Sequence, residues 1–235
     1  MIFINGLQDY SERFNVKLMS KYFILFLSGF LALTCTDAIV EHDDKTIIAR
    51  HDYFRDFPAF NNDGLVNVVV EIPAGCNQKW EVDKETGYLE WEKVGHDSLR
   101  VVKYLPYPAN YGMIPRTWLP INKGGDDDPL DIFLLGQAVD RGSVVPAKII
   151  GVIKMLDKGL QDDKLIAVPV NGLFSEISTL GQVNKAYPGV IEIITIWLSS
   201  YEGEGFVEIQ GVQDEMDAIV ILKNASEAYE MMVSE

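Results

Sequence analysis

The 235-residue chain has only two cysteines, Cys35 and Cys76. Two thiols with no Cys-x-x-Cys or His-rich spacing exclude a disulfide framework and a finger-type zinc site. Histidine is as scarce: His42, His51 and His96 lie far apart in polar stretches, form no pair at ligand spacing and read as surface residues. Basic residues are outnumbered, 20 against 35 acidic ones, for a formal net charge of -15. Such a chain lacks the Lys and Arg clusters that neutralise a phosphate backbone, which excludes a nucleic-acid partner. An anionic substrate would need cations as mediators. No apolar run reaches the length of about 20 residues that a membrane-spanning helix needs. Internal repeats and low-complexity tracts are missing too, and the 48% apolar content suits one domain with one core.

What the N-terminus does have is a shift in composition. Lys17 and Lys21 precede an uncharged apolar run over residues 22–34, which has the length and flank of a signal-peptide core. Cys35 follows Leu33 and Thr34 in a stretch similar to a lipoprotein cleavage box, apart from the bulk of Thr34. Residues 1–35 therefore read as an export segment starting at Met1 or Met19, with Cys35 as the candidate lipid anchor. A cytoplasmic location is the alternative. Membrane contact is expected only through this segment. The charged stretch 36–63 reads as a tether, and 64–235 as the folded domain.

From Gly64 onward the pattern is strand-like. Apolar runs over 65–72, 79–82 and 88–91 are separated by turn signals, and further β-type runs cover 132–135, 144–155, 165–170 and 206–212. Short strands at this spacing predict an antiparallel sheet or barrel. Residues 190–201 are rich in β-branched side chains and by propensity alone would form a strand. Their polar positions Glu192, Thr195, Ser199 and Glu202 recur at steps of 3, 4 and 3, which predicts a helix beginning after Pro188. Met216, Ile219, Leu222, Tyr229 and Met232 lie near helical spacing and predict a terminal amphipathic helix over 214–234. The domain is mainly β, of the α+β class.

The most informative stretch is Asp126, Asp127, Asp128, Pro129, Leu130 and Asp131, placed directly before the apolar run 132–135. Four carboxylates so close repel one another, and folding them together is costly unless cations bind. A solvated acidic turn is the bland alternative. An EF-hand loop counted from Asp126 puts Asp131 and Gln137 where Gly and Glu are required, so that reading fails. An Asp-x-Asp phosphatase nucleophile normally follows its strand, whereas here the strand follows the acids.

The pattern Asp126, Asp128, Pro129, Leu130, Asp131 resembles the signature of family I soluble inorganic pyrophosphatases, and the resemblance runs from Val69 to about Val212. Glu71 and Pro73, then Lys79, Glu81 and Lys84, resemble the family's opening strands. Tyr107, Asn110, Tyr111 and Gly112 resemble its paired-tyrosine segment. Asp157, Asp162 and Lys164 resemble its second acidic loop. The resemblance implies a five-stranded antiparallel OB-like barrel flanked by two helices. It implies magnesium-dependent hydrolysis of inorganic diphosphate, with several Mg2+ held by Glu71, Asp126, Asp131, Asp157 and Asp162 and with Asp128 as general base toward water. Lys79, Arg100, Tyr111, Lys164 and Tyr201 then hold the two phosphates, and Glu81 and Tyr107 support them. A homo-oligomer is implied as well.

Two places depart from the family pattern. Its arginine between the early strands and the tyrosines corresponds here to Lys93 or Arg100; Arg100 is preferred because a guanidinium binds phosphate in bidentate fashion. Where many members have Tyr-Lys, this chain has Tyr201 and Glu202, an anion expected to oppose a bound phosphate. A noncatalytic, metal-dependent phosphate-binding module at the cell surface is the competing reading.

Overall fold

The structure is a computed structural model that describes residues 39–95 and 98–234. The expected export segment and Cys35 lie outside the described residues. The chain opens with a hairpin of β1 (Ile39–His42) and β2 (Thr46–Ala49). Its turn is closed by Asp43, whose Oδ1 accepts from the N–H groups of Lys45 and Thr46 at 2.7 Å. This hairpin corrects the expectation of a tether over 36–63. Ile47, Tyr53 and Phe54 are buried with Trp80, Leu89 and Tyr229 in one cluster, and the Tyr53 hydroxyl donates to the Gly142 carbonyl at 2.8 Å. Apolar burial outweighs the charges around these residues, which stay in solvent.

The remaining strands are β3 (Val66–Ile72), β4 (Trp80–Val82), β5 (Leu89–Trp91), β6 (Lys93–Val94), β7 (Ser98–Leu99), β8 (Asn110–Met113), β9 (Asp131–Leu134), β10 (Val144–Asp157), β11 (Leu160–Gln161) and β12 (Lys164–Pro169). Helices α1 (Leu180–Ala186) and α2 (Val190–Ser200) follow, then β13 (Val207–Asp214) and α3 (Glu215–Ser234). Strand β3 pairs antiparallel with β8, β8 with β9, β12 with β10, and β10 returns to β3, so the pairings run in a ring of five strands. The link between β9 and β12 is parallel, which corrects the all-antiparallel expectation: β10 intervenes in sequence and lies on the far side of β12. Among the described residues three α-helices, not two, accompany the strands.

Alternation sorts the strand side chains onto two sides. Ile132, Leu134, Leu165 and Ala167 pack in one cluster with Ala218, Leu222 and Ala225 of α3. Phe133, Ile166 and Val168 pack in the other with Ile191, Ile194 and Trp197 of α2. Both faces are buried, so these strands read as continuous apolar runs. The helical period predicted over 190–201 is observed, because its apolar stripe has a sheet to cover. Strand β8, not anticipated, lies so close to β3 that a Cβ at Gly112 would sit 1.8 Å from the Val69 carbonyl oxygen; only glycine fits there.

Candidate active site

The acidic loop hangs on three anchors. Leu119 donates to the Asp128 carbonyl at 2.9 Å and accepts from the Asp127 N–H at 2.8 Å, while the Leu130 N–H donates to Thr117 Oγ1 at 2.9 Å. With Leu130 and Thr117 fully buried, the chain between them is held as a rim, and Asp127 takes a left-handed φ of 71° to make the bend. The Asp128 side chain is 54% exposed and pairs with Lys84 Nζ at 2.6 Å. Lys84 also donates to the Asp127 carbonyl and lies over the Trp118 ring.

The parallel register of β9 and β12 sets Asp131 beside Lys164. Lys164 is buried, its ammonium bonded to Asp131 at 2.5 Å and also to Asp162, and Asp131 accepts from the Tyr111 hydroxyl at 2.5 Å. Burial works against the Asp131 carboxylate, but Lys164 and Lys79 outweigh it and hold its pKa below the ordinary value. Asp162 is pushed up, mainly by burial, with the Asp131 charge acting in the same direction. Asp126 is pushed up to about 7 by burial and then by Asp162 and Asp131.

A cavity of about 210 Å³ is lined by Glu71, Lys79, Glu81, Lys84, Asp128 and Asp131, among others. Glu71 is buried in β3, accepts from the Val82 N–H at 2.8 Å and is pushed up to about 8, chiefly by burial. Lys79 lies 3.8 Å from Glu81 and over the Tyr111 ring. Tyr107 packs between Tyr111 and Trp197, on which Tyr201 stacks at 4.5 Å. Most of the sequence-predicted residues therefore come together from β3, β4, β8, β9, β12 and the end of α2, whereas Asp157 meets Lys158, and Arg100 meets Glu92 and Glu202.

A sequence profile of the inorganic pyrophosphatases matches residues 68–230. The inorganic pyrophosphatase of Campylobacter jejuni is 33% identical over 168 residues, 70% of this chain and 91% of that protein. The chain belongs to the inorganic pyrophosphatase family. Among solved structures, the type I inorganic pyrophosphatase of Toxoplasma gondii is 27% identical with a TM-score of 0.73, covering 78% of this chain and 89% of that one. The Helicobacter pylori inorganic pyrophosphatase is 32% identical with a TM-score of 0.63, covering 75% and 99%.

The donor set suits a pyrophosphatase's divalent cation. Asp157, at the end of β10, has a buried Oδ1 with no hydrogen-bond partner, 3.4 Å from Lys158 Nζ. The oxygen-only donors and the upward push on Asp126 and Asp162 have the same meaning: negative charge is gathered that a hard cation would relieve. Among the described residues no three such side chains already form a metal cage, and the Lys164 ammonium fills the gap between Asp131 and Asp162.

Of the two candidates for the missing arginine, Lys93 is exposed on β6, whereas Arg100 donates from Nη1 to both Glu92 oxygens at 3.0 Å and from Nη2 to Glu202 at 2.8 Å. Glu202, expected to oppose the substrate, is instead paired with Arg100 and Lys158, and those cations hold its pKa below the ordinary value against burial. Sequence reasoning gave no role to Lys84, Lys158 or Arg141. Arg141 donates to the Glu71 carbonyl at 2.9 Å and covers the Trp80 ring, which ties the metal-side strand to the substrate-side one. The tight turn at Lys158 and Gly159 was the one available sequence signal for Lys158.

Proposed function

We propose that this chain hydrolyses inorganic diphosphate to two phosphates with magnesium as cofactor. The observation that carries the reading is Asp131, a carboxylate of the acidic loop that shares both its tyrosine and its lysine partner with the site meant for phosphate. Anion-binding and cation-binding groups are interleaved, as a metal-bridged polyanion requires. Magnesium held by Glu71, Asp126, Asp131, Asp157 and Asp162 would neutralise diphosphate oxygens and raise the acidity of water. Asp128, on the solvent side of the rim, takes the proton from the attacking water. Lys79, Arg100, Lys164, Tyr111 and Tyr201 hold the two phosphoryl groups in line and receive the charge that builds on the leaving phosphate. Release of orthophosphate from diphosphate by the full chain in magnesium tests the reading; tight binding without turnover would instead favour a binding module. The implied homo-oligomer is part of the same proposal.

The acidic groups give a pH signature. Glu71 and Asp126, with values near 8 and 7, are raised above their ordinary ones. Their contribution to stability is thus complete below pH ~4 and is lost as pH rises through those values. The metal-free protein is expected to lose stability from pH 5 to 8, and magnesium to restore it. At pH 6.5 magnesium binding should release about one proton or more. Calorimetry in two buffers of different ionisation enthalpy reads the release directly, and a value of zero would remove these groups from the metal site.

Export through residues 1–35, with a lipid on Cys35, also belongs to this proposal; it rests on the uncharged run 22–34 behind Lys21. Cys35→Ala is expected to move the protein from membrane to soluble fractions. An unprocessed N-terminus with all activity in the cytosol would end the idea.

A further inference from the structure

Glu202 puts a negative charge at the Tyr201 end of a site meant for an anion, and the structure holds that charge from two sides. Oε1 accepts from Arg100 Nη2 and Oε2 from Lys158 Nζ, each at 2.8 Å, and the side chain is only 13% exposed. One carboxylate thus carries a different cation on each oxygen.

Lys158 is fixed at both ends. It follows β10 in a two-residue turn, with φ of 50° at Lys158 and 87° at Gly159, the both-positive pattern of a type I′ turn. A lysine holds this left-handed conformation with more strain than glycine or asparagine would. Its N–H donates to the Phe206 carbonyl at 3.0 Å, and its ammonium lies 5.7 Å from the Phe206 ring centre. Arg100, Lys103, Tyr201, Glu202 and Phe206 line a cavity of about 220 Å³ at this end of the site. Lys158 is tied to two of these lining residues, Glu202 and Phe206, and both cations keep spare donors. Arg100 has five N–H groups and makes three hydrogen bonds among the described residues; Lys158 has three and makes two.

We propose that Lys158 is a substrate-binding residue of this chain, a second cation beside Arg100 for phosphoryl oxygens, and that Glu202 is the positioning residue that holds the two cations side by side. Two cations facing one anionic group repel each other in the empty site. A carboxylate between them cancels that repulsion and fixes their spacing, while Glu92 holds Arg100 from its other side. Glu202 then favours phosphate binding although its own charge opposes it.

This inference rests on the diphosphatase reading, and the test separates the two. Steady-state kinetics of K158M, E202Q, E202K and the charge-reversed double variant K158E/E202K are compared with the parent in magnesium. K158M should raise KM for magnesium diphosphate about tenfold with kcat within about twofold, since a ground-state contact is lost. E202Q should raise it by about fivefold and E202K by about thirtyfold, with the double variant well below E202K because a cation and an anion again face each other. Lys158 is more than half exposed, so K158M folds and decides the matter even if E202K does not. A KM for K158M within twofold of the parent's overturns the assignment, as does a double variant no better than E202K. If the parent has no turnover, hydrolysis is what fails. The same proteins are then compared by calorimetric binding of inorganic diphosphate, where K158M should bind about tenfold more weakly and unchanged binding overturns the proposal.

Discussion

Asp128→Asn is expected to lower turnover by about 10³-fold while leaving the fold and the binding of magnesium close to the parent's. The Asp128 backbone is held by Leu119 and its side chain is 54% exposed, so the carboxylate supports neither core nor loop. Its partner Lys84 is partly exposed too, and such a pair contributes at most about 1 kcal/mol. Asparagine keeps the shape and can still accept from Lys84. What it cannot do is take a proton from water at neutral pH. The measurement is orthophosphate release beside a thermal melt: a kcat within tenfold of the parent's would remove Asp128 as the base, and the melt shows that the loss is not one of folding.

The acidic loop was legible because repulsion among Asp126, Asp127, Asp128 and Asp131 makes a bare turn costly without cations, and because its order resembles a family signature. Helix α2 was legible because the period of its polar residues survives an unhelpful β-branched composition. Strand β8 was not, since Asn110, Tyr111, Gly112 and Met113 show no alternation. Asn110 is buried there because its side chain makes four hydrogen bonds, to the N–H groups of Ala74 and Val139 and the carbonyls of Leu134 and Gln137. Those partners are spread over more than sixty residues, and no local pattern reports them. The folded part of 36–63 was hidden for a related reason: Ile47 to Ala49 and Tyr53 with Phe54 are short apolar runs among charges, and only distant residues such as Trp80, Leu89 and Tyr229 make them core. Glu202 looked like a damaged site because Lys158, which compensates it, lies 44 residues away in a turn.

Lys164→Met is expected to destabilise the metal-free protein by about 3 kcal/mol or more and to cost at least about 10²-fold in turnover. Lys164 is 3% exposed and its ammonium is the shared partner of Asp131 and Asp162, set there by the parallel pairing of β9 with β12. Methionine matches the length of the stem, so packing against the Tyr111 ring is largely kept and the loss is one of charge. Without the ammonium two buried carboxylates face each other, and Asp131 loses the cation that holds its pKa down. For a domain of this size the melting temperature should fall by about 10 °C at pH 7.5. Two features separate this account from a simple packing defect. In the parent, the lowered Asp131 contributes stability above its unfolded value of about 3.8 and loses it as pH falls further, so the penalty in the variant should shrink in acid, as the carboxyls left without the ammonium take protons. Magnesium should also raise the melting temperature of the variant more than the parent's, because a dication can enter the gap that the ammonium fills. A variant that melts within 2 °C of the parent without metal, or gains no more from magnesium than the parent does, would show that Lys164 does not hold these carboxylates together.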